Sequence, residues 1–239
     1  MRNPLGELEN TLFLPDGLLY FYSMRCIVTA GPTYEPLDEV RRLTNFSTGR
    51  LGSELVNALA ARGHDVTLLI GQLATYRGKR QAREVQTFTT TANLCERLRA
   101  LADHSFEAVF HAAAVSDFAF GKVWRRSADG ELTEIKSGKI STRRGTLLAE
   151  LTPTPKILAE LRQWFPKARL VGWKYEVEGE PAGVVRAAEK QIAECLTDAC
   201  VANGPAYGRG FGLVLGGGEW QHLDDTAALF AVLEKLIRD

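Results

Sequence analysis

The stretch CIVTAGPT, residues 26–33, decides the fold of this chain. Five small, apolar or β-branched residues lead into a Gly-Pro turn, a pattern that predicts a buried strand with a tight loop at its carboxyl end. Residues 50–62 then place apolar side chains at helical spacing and are followed by Gly63, a typical helix stop. A strand, a glycine-bearing loop and a helix in this order are typical of a parallel sheet covered by helices.

The same alternation continues along the rest of the chain. We therefore predict an α/β protein, with a Rossmann-like three-layer α/β/α architecture and a mostly parallel sheet. Ligands bind such folds outside the carboxyl ends of the strands, so we expect the site near Gly31 and near residues 113–117. The further predicted strands are 65–70, 108–115, 169–173 and 198–202, and the further predicted helices are 91–102, 155–164, 182–195 and 226–237.

Two regions are less regular. Residues 122–146 are charged and without clear periodicity, which predicts a long excursion, either flexible or formed into a small hairpin. Residues 208–218 are glycine-rich around FGLVL and predict a turn, an edge strand and another turn.

Composition excludes several classes of function. With 239 residues, 45% hydrophobic and 24% charged, the chain is an ordinary globular protein. A formal net charge of +0 provides no field that would attract nucleic acid or an anionic membrane, so neither is expected as a partner. The four cysteines form no CxxC pair and no zinc-ligand spacing, so we expect reduced thiols, no metal ligands on the protein and a cytoplasmic location.

The first residues carry an apolar stretch that is interrupted by Pro15 and Asp16 and lacks the features of a signal peptide or a membrane span. We expect residues 1–23 to be an extension with no assigned role and residues 24–239 to form a single domain.

The segment NFSTGRLG, residues 45–52, leads directly into the first helix. Ser47 or Thr48 is expected to cap that helix, and Gly49 to let a ligand approach the backbone. Free N–H groups and the helix dipole favour an anion there, although neither GxxxxGK[ST] nor GxGxxG is present. A phosphate site and a capped, tightly packed helix both remain open.

Three further features could carry chemistry. In HAAAVSD, residues 111–117, small residues leave room for a ligand and Asp117 follows the strand; tight packing is the alternative, and His111 is expected to be a hydrogen-bonded core residue. Lys136, in EIKSGK, could neutralise charge on a leaving group or simply be solvated. Trp173 and Asn203 could stack on and hydrogen-bond a base, with core packing as the alternative for Trp173.

Taken in order, the motifs resemble the landmarks of phosphopantothenate–cysteine ligases from about Cys26 to Asp239. The resemblance implies a ligase of coenzyme A biosynthesis that joins 4'-phosphopantothenate and L-cysteine through an acyl-nucleotide intermediate. Bacterial members are often fused behind a flavin-dependent decarboxylase; this chain resembles the ligase half alone, which implies no flavin. The matching segments are TAGPTYEPLDEVR (29–41), TNFSTGRLG (44–52), HAAAVSDF (111–118), EIKS (134–137), VGW (171–173) and VAN (201–203).

The resemblance also implies the site. Asn45 and Lys136 would be catalytic, Asn45 by hydrogen-bonding the activated acyl group and Lys136, with Mg²⁺, by neutralising the leaving group. Arg41 would reach phosphopantothenate in the neighbouring subunit of a homodimer. The residues implied to contact the nucleotide are Gly31, Ser47, Gly49, Gly52, Trp173 and Asn203, and those implied to hold phosphopantothenate are Asn45, Ala113, Ala114 and Asp117.

The nucleotide implied is CTP or ATP. NFSTGR resembles the eukaryotic, ATP-using members, whereas TAGPTYEPLDEVR resembles the bacterial, CTP-using ones. Glu134 stands where many members have a lysine, and other lysine positions are represented by a shifted Lys190 and by Cys195. These departures motivate one alternative, an inactive nucleotide-binding homologue. A nicotinamide-dependent oxidoreductase is the other, because it shares the βαβ pattern, although GxGxxG is missing.

Overall fold

The computed structural model describes residues 23–102, 104–136, 138–141 and 145–238. Residues 1–22 lie outside these ranges, and so does almost all of the predicted N-terminal extension. The elements are β1 (Arg25–Ala30), β2 (Tyr34–Pro36), β3 (Arg42–Thr44), α1 (Arg50–Ala61), β4 (Asp65–Gly71), β5 (Glu84–Phe88), α2 (Thr91–Ala100), β6 (Ala108–His111), β7 (Phe118–Arg126), β8 (Leu132–Glu134), β9 (Thr146–Pro153), α3 (Ile157–Trp164), β10 (Arg169–Tyr175), α4 (Pro181–Cys195), β11 (Ala199–Asn203), β12 (Phe211–Leu215), β13 (Trp220–Leu223) and α5 (Thr226–Arg238).

The central sheet has eight strands in the order β13-β12-β11-β10-β6-β1-β4-β5. The six strands from β5 to β11 pair in parallel, and β12 and β13 add to the β11 edge in antiparallel pairs. Strand order reverses on the two sides of β1, so the carboxyl ends of β1 and β6 form the topological switch point. The predicted Rossmann-like, mostly parallel α/β fold is confirmed.

Helices cover both faces of this sheet because its strands alternate apolar residues between the two sides. Val28 and Val171 pack on one face against α1 and α5. Ile27 and Val109 pack on the other face against α2 and α3, and α4 covers its far end over Cys200. All four cysteines are buried and free, and none of the described helices is both long and apolar enough to cross a membrane.

Several predicted boundaries were wrong. The strand predicted over 108–115 ends at His111, because the β1 chain turns at Gly31 (φ +78°) and pairs again with the segment after β6 only in an isolated bridge between Pro32 and Ala114. FGLVL (β12) is not the edge strand, since β13 pairs along its outer side. Strand β5, which forms the opposite edge, was not predicted at all.

The predicted excursion is a three-stranded antiparallel sheet of order β8-β7-β9, which we call the arm (Phe118–Pro153). Its hairpin character is confirmed, but it begins and ends outside the predicted range 122–146. The small sheet of β2 and β3 lies at its base and contacts β7. Ile135 N–H donates to Val123 O (2.8 Å) and Glu39 N–H to Gly138 O (2.9 Å), so the segment after β8 is tied down on both sides.

Candidate active site

The loops that follow β1 and β6 are joined at the switch point. Thr33 N–H donates to Ala114 O (3.1 Å) and Ala114 N–H donates to Gly31 O (3.0 Å). The side-chain amide of Asn45 donates to the same Ala114 carbonyl, also at 3.1 Å. The structure therefore brings together Gly31, Asn45 and Ala114, three residues that the sequence assigned to one site from separate motifs.

Helix α1 begins beside this junction, and glycine shapes its start. The expectation that Ser47 or Thr48 caps the helix is wrong: the N-cap residue is Gly49, at φ +75°, with no side-chain cap. The left-handed conformation disfavours other residues, and a Cβ at Gly49 would lie 3.0 Å from Ile70 Cδ1. Thr48 Oγ1 instead accepts a hydrogen bond from Arg50 N–H at 3.2 Å. Phosphate binding at this helix start stays a prediction.

A cavity of about 520 Å³ opens on the α2–α4 face of the sheet, at its carboxyl edge. Three of the predicted site residues line it: Ala113 and Asp117, assigned to phosphopantothenate, and Trp173, assigned to the nucleotide. Of the described residues, the other predicted site residues lie outside its lining. Its charged residues are Asp117, Lys156, Lys174, Lys190 and Glu194.

Two buried polar atoms near this edge have no described partner, the indole Nε1 of Trp173 and the side-chain Oδ1 of Asn203. The Trp173 side chain packs against the α1–α5 core, as the packing alternative expected, so this residue borders the cavity on the opposite face through its backbone. Trp173 lies two residues before the end of β10, and Asn203 ends its parallel neighbour β11. Buried polar groups are nearly always hydrogen-bonded, so this pair is suited to meeting a ligand.

His111 is buried, as expected, with 6% of its surface exposed, and it lines the cavity. Its Nδ1 lies 2.9 Å from Thr29 Oγ1. Burial lowers the pKa of the imidazole to about 4, because the charged form cannot be solvated there. The ring is therefore neutral at physiological pH.

Arg41 and Lys136 lie away from the cavity. Arg41 forms an ion pair with Asp38 (2.7 Å) and donates to the Ile140 carbonyl (3.1 Å), so within one chain it ties the β2–β3 loop to the base of the arm. Lys136 is exposed on the segment after β8, and no described residue pairs with its ammonium group. The structure does not bring Lys136 next to Asn45 through any described contact.

Sequence reasoning missed part of the cavity wall. Lys156 is the N-cap residue of α3, and Lys174 directly follows the VGW motif in β10. Gln191 donates from its side chain to Trp173 O (3.4 Å) and to Cys200 Sγ (3.1 Å). The signal for the two lysines was their place at a helix start and a strand end, whereas the position of Gln191 depends on how α4 packs.

Within the described residues, no three His, Cys, Asp or Glu side chains gather as metal ligands. Mg²⁺ often needs only one or two carboxylates besides substrate phosphates. Asp117 and Glu194, both in the cavity wall, fit that requirement.

Comparison with known proteins now adds to this geometry. Residues 21–214 match the family model described as the DNA/pantothenate metabolism flavoprotein C-terminal domain. The Coenzyme A biosynthesis bifunctional protein CoaBC of Thermococcus kodakarensis is 34% identical over 75% of this chain and 41% of that protein. CoaBC of Bacillus subtilis is 32% identical over 78% of this chain and 42% of that protein. The chain spans about two fifths of the length of these curated relatives.

Solved structures agree on the fold. The DNA/pantothenate metabolism flavoprotein from Streptococcus pneumoniae superposes with a TM-score of 0.78 at 23% identity, over 90% of this chain and 99% of that one. A mutant of Cab2 in complex with phosphopantothenate-cysteine superposes with a TM-score of 0.66 at 19% identity, over 90% and 87%. The family resemblance inferred from the motifs is confirmed, and the chain belongs to the family of DNA/pantothenate metabolism flavoprotein C-terminal domains.

Proposed function

We propose that this chain is a phosphopantothenate–cysteine ligase of coenzyme A biosynthesis, with residues 24–239 as the ligase domain. Its family, and the names of its relatives, support that class. The observation that carries the proposal is the junction at the switch point, where Gly31 O accepts from Ala114 N–H and Ala114 O accepts from the Asn45 side chain. Gly31 is assigned to the nucleotide and the other two residues to phosphopantothenate, so the two ligands would lie side by side, as they must if they react with each other.

The chemistry needs no protein nucleophile. A carboxylate oxygen of 4'-phosphopantothenate attacks the α-phosphorus of the nucleoside triphosphate, the bond to the bridging oxygen breaks, and pyrophosphate leaves. The amine of L-cysteine then attacks the acyl carbon, the acyl–oxygen bond breaks, the nucleoside monophosphate leaves, and the nitrogen loses a proton to water. Catalysis of this kind depends on positioning and on charge neutralisation.

Asn45 and Lys136 carry the catalytic roles in this proposal. The amide of Asn45 is already oriented by Ala114 O, which leaves its second N–H for the activated acyl group. Lys136 is exposed and pairs with no described residue, so its ammonium group is available to pyrophosphate. Mg²⁺, bound with the nucleotide, would neutralise phosphate charge, and Asp117 and Glu194 are the carboxylates that could hold it.

We also assign the nucleotide, CTP or ATP, to the carboxyl edge. Gly52 lets α1 approach β1 closely, and Gly49, two residues after Ser47, packs against Gly31, which itself packs against Ala74. On the same face, Trp173 Nε1 and Asn203 Oδ1 are free for the base. Phosphopantothenate is assigned to Asn45, Ala113, Ala114 and Asp117.

A homodimer completes the proposal. The arm exposes Phe118, Leu148 and Leu151, and Phe46 beside Asn45 is fully exposed. Exposed apolar side chains grouped on one arm are typical of an interaction surface, and a second copy of the chain is the proposed partner. Arg41 would then contact phosphopantothenate bound to the other subunit.

The test is pyrophosphate release by the purified chain with phosphopantothenate, L-cysteine, Mg²⁺ and either CTP or ATP. We expect release that requires phosphopantothenate and a product that contains cysteine. Release without cysteine incorporation would support acyl-nucleotide formation only. No release with either nucleotide, while nucleotide still binds, would indicate the inactive homologue instead. Family membership argues against the nicotinamide-dependent oxidoreductase.

A further inference from the structure

His111 projects into the cavity side of the sheet. It is the Cα partner of Thr29 in the β1–β6 pair, and both stand two residues after Ile27 and Val109, which pack beneath α2 and α3. Residues two apart on a strand point to the same face, so both side chains lie on the α2–α4 face, where the cavity opens.

The surroundings of Thr29 fix the proton on the imidazole. Thr29 is fully buried, and its Oγ1 accepts a hydrogen bond from Ala113 N–H at 3.2 Å. Among the described residues, His111 Nδ1 is the acceptor within reach of the Thr29 hydroxyl proton, at 2.9 Å. A buried hydroxyl seldom leaves its proton unused, so Thr29 donates to Nδ1 and the ring proton resides on Nε2.

That Nε2–H group has no partner among the described residues, although the side chain is buried. Gly172, opposite His111 on β10, offers no side-chain acceptor, and Gln191 and Leu158 pack over it, since a Cβ there would lie 2.7 Å from Gln191 Nε2 and 3.0 Å from Leu158 Cδ2. A neutral donor therefore stands in the cavity wall without an acceptor.

The charges around it favour an anionic acceptor. Lysines reach the cavity from three elements: Lys156 at the start of α3, Lys174 on β10 and Lys190 on α4. Lys174 pairs with Glu176 (3.0 Å) and Lys190 lies 3.7 Å from Glu194. The other titratable groups in the wall are Asp117, Glu194 and Cys195.

We propose that His111 is a ligand-binding residue, whose neutral imidazole donates its Nε2–H to a phosphoryl oxygen of a phosphorylated ligand in this cavity. Thr29 is its positioning residue. The ligand class rests on the proposed function, in which both the nucleoside triphosphate and 4'-phosphopantothenate carry such oxygens. Because the imidazole stays neutral, the hydrogen bond keeps the same strength across physiological pH.

Calorimetric titration tests the proposal. CTP, ATP and phosphopantothenate are titrated separately, which tells the two sources of phosphate apart. We expect His111→Leu to weaken at least one of them roughly 10- to 100-fold, as expected for losing one hydrogen bond to a charged acceptor. His111→Gln, which keeps a neutral N–H donor, should restore most of that affinity. His104→Leu, an exposed histidine at the other edge of the sheet, is the matched control.

Nitrogen-15 NMR of the histidine rings gives a second readout on the folded protein, with the His111 signal identified by its loss in His111→Gln. We expect an Nε2-protonated neutral ring between pH 8 and pH 6, and a shift of its Nε2–H on addition of pyrophosphate. Thr29→Val removes the hydroxyl that donates to Nδ1, so the Nε2-protonated form should no longer dominate and affinity should fall, whereas Thr29→Ser should behave like wild type.

Wild-type affinity for all three ligands in folded His111→Leu, or an Nε2–H signal that no phosphorylated compound shifts, would overturn the proposal. These results are separate from ligase turnover. Binding through His111 without ligation would refute the proposed function alone, and ligation at the wild-type rate in His111→Leu, with unchanged Michaelis constants, would refute the role of His111 alone.

Discussion

The carbonyl oxygen of Ala114 accepts hydrogen bonds from the backbone of Thr33 and from the side chain of Asn45, each at 3.1 Å. A carbonyl oxygen has two lone pairs, so these two donors satisfy it. Asn45 is thereby held by a residue that is 69 positions away in the chain. Its remaining N–H is oriented before any substrate arrives, which is the requirement for stabilising charge in a transition state.

From this geometry we expect Asn45→Ala to lower the ligase turnover number by ~10² or more, the loss associated with one preorganised polar contact. Lys136→Ala is expected to have an effect of similar size, because it removes a cation from the leaving pyrophosphate. Steady-state pyrophosphate release measures both. Asn57→Ala on α1 and Lys122→Ala on the arm are matched controls and should leave turnover unchanged. Full activity in Lys136→Ala would remove Lys136 from the catalytic proposal.

For single residues, the sequence motifs predicted which residues lie together, but they did not predict the helix cap or the hydrogen bonding of His111. Gly31 and Ala114 meet because they follow the carboxyl ends of β1 and β6 at the switch point, a rule that can be read from sequence. Asn45 follows β3 of the small sheet, so its place depends on how that sheet folds back. The predicted cap at Ser47 or Thr48 was wrong because Gly49 occupies the N-cap position. Gly49 packs against Ile70, where a Cβ would be crowded, and this contact forms only once β4 has packed beside α1. The unused donor of His111 likewise depends on Thr29, its partner on another strand.

Among the elements, α1 and β1 are packed closely at the point where they position the site. A Cβ at Gly52 would lie 2.6 Å from Ala30 Cβ and 3.3 Å from Thr29 O, so any side chain there would push the helix away from the strand. Glycine is otherwise unfavourable inside a helix, which indicates that its presence in α1 serves this close approach.

We therefore predict that Gly52→Ala destabilises the fold by about 1–3 kcal/mol through overpacking, despite the better helix propensity of alanine. Urea denaturation measures the change. Gly63→Ala is the control: it has φ +87° but nothing within 4 Å of a new Cβ, so it reports backbone strain alone. A stability gain in Gly52→Ala would show that α1 can shift outward at no cost.

The missed elements share one physical feature. Strand β5 has a single buried residue, Phe88, and β13 has one, Leu223, so neither forms an apolar run or a clear alternation. Both lie at edges of the sheet, where one side of the strand has no neighbour to bury it. The central strands were predictable because burial on both faces makes them continuously apolar.

For the whole molecule, the arm and the β2–β3 loop decide where Arg41 acts. In the single chain its guanidinium is held by Asp38 and the Ile140 carbonyl, at the base of an arm that exposes Phe118, Leu148 and Leu151. Sequence alone predicts the arm's strands poorly, because β9 is exposed along most of its length. If a second copy of the chain covers the exposed arm, Arg41 can contact ligand bound to the other subunit. Otherwise it can act only within its own subunit.

Mixed dimers of two variants can distinguish whether Arg41 acts within its own subunit or on the other subunit. Arg41→Ala and Asn45→Ala chains are coexpressed with different tags, and the mixed dimer is purified through both. If Arg41 acts across the interface, the mixed dimer has one intact site, formed by Asn45 of the Arg41→Ala chain and Arg41 of the Asn45→Ala chain. The mixed dimer should then show about half of the wild-type rate, although each parent homodimer is nearly inactive. A mixed dimer of wild type with the double variant should then be inactive, because each site lacks one residue. If Arg41 acts within its own chain, the two results are reversed, and failure to isolate any mixed dimer would contradict the proposed homodimer itself.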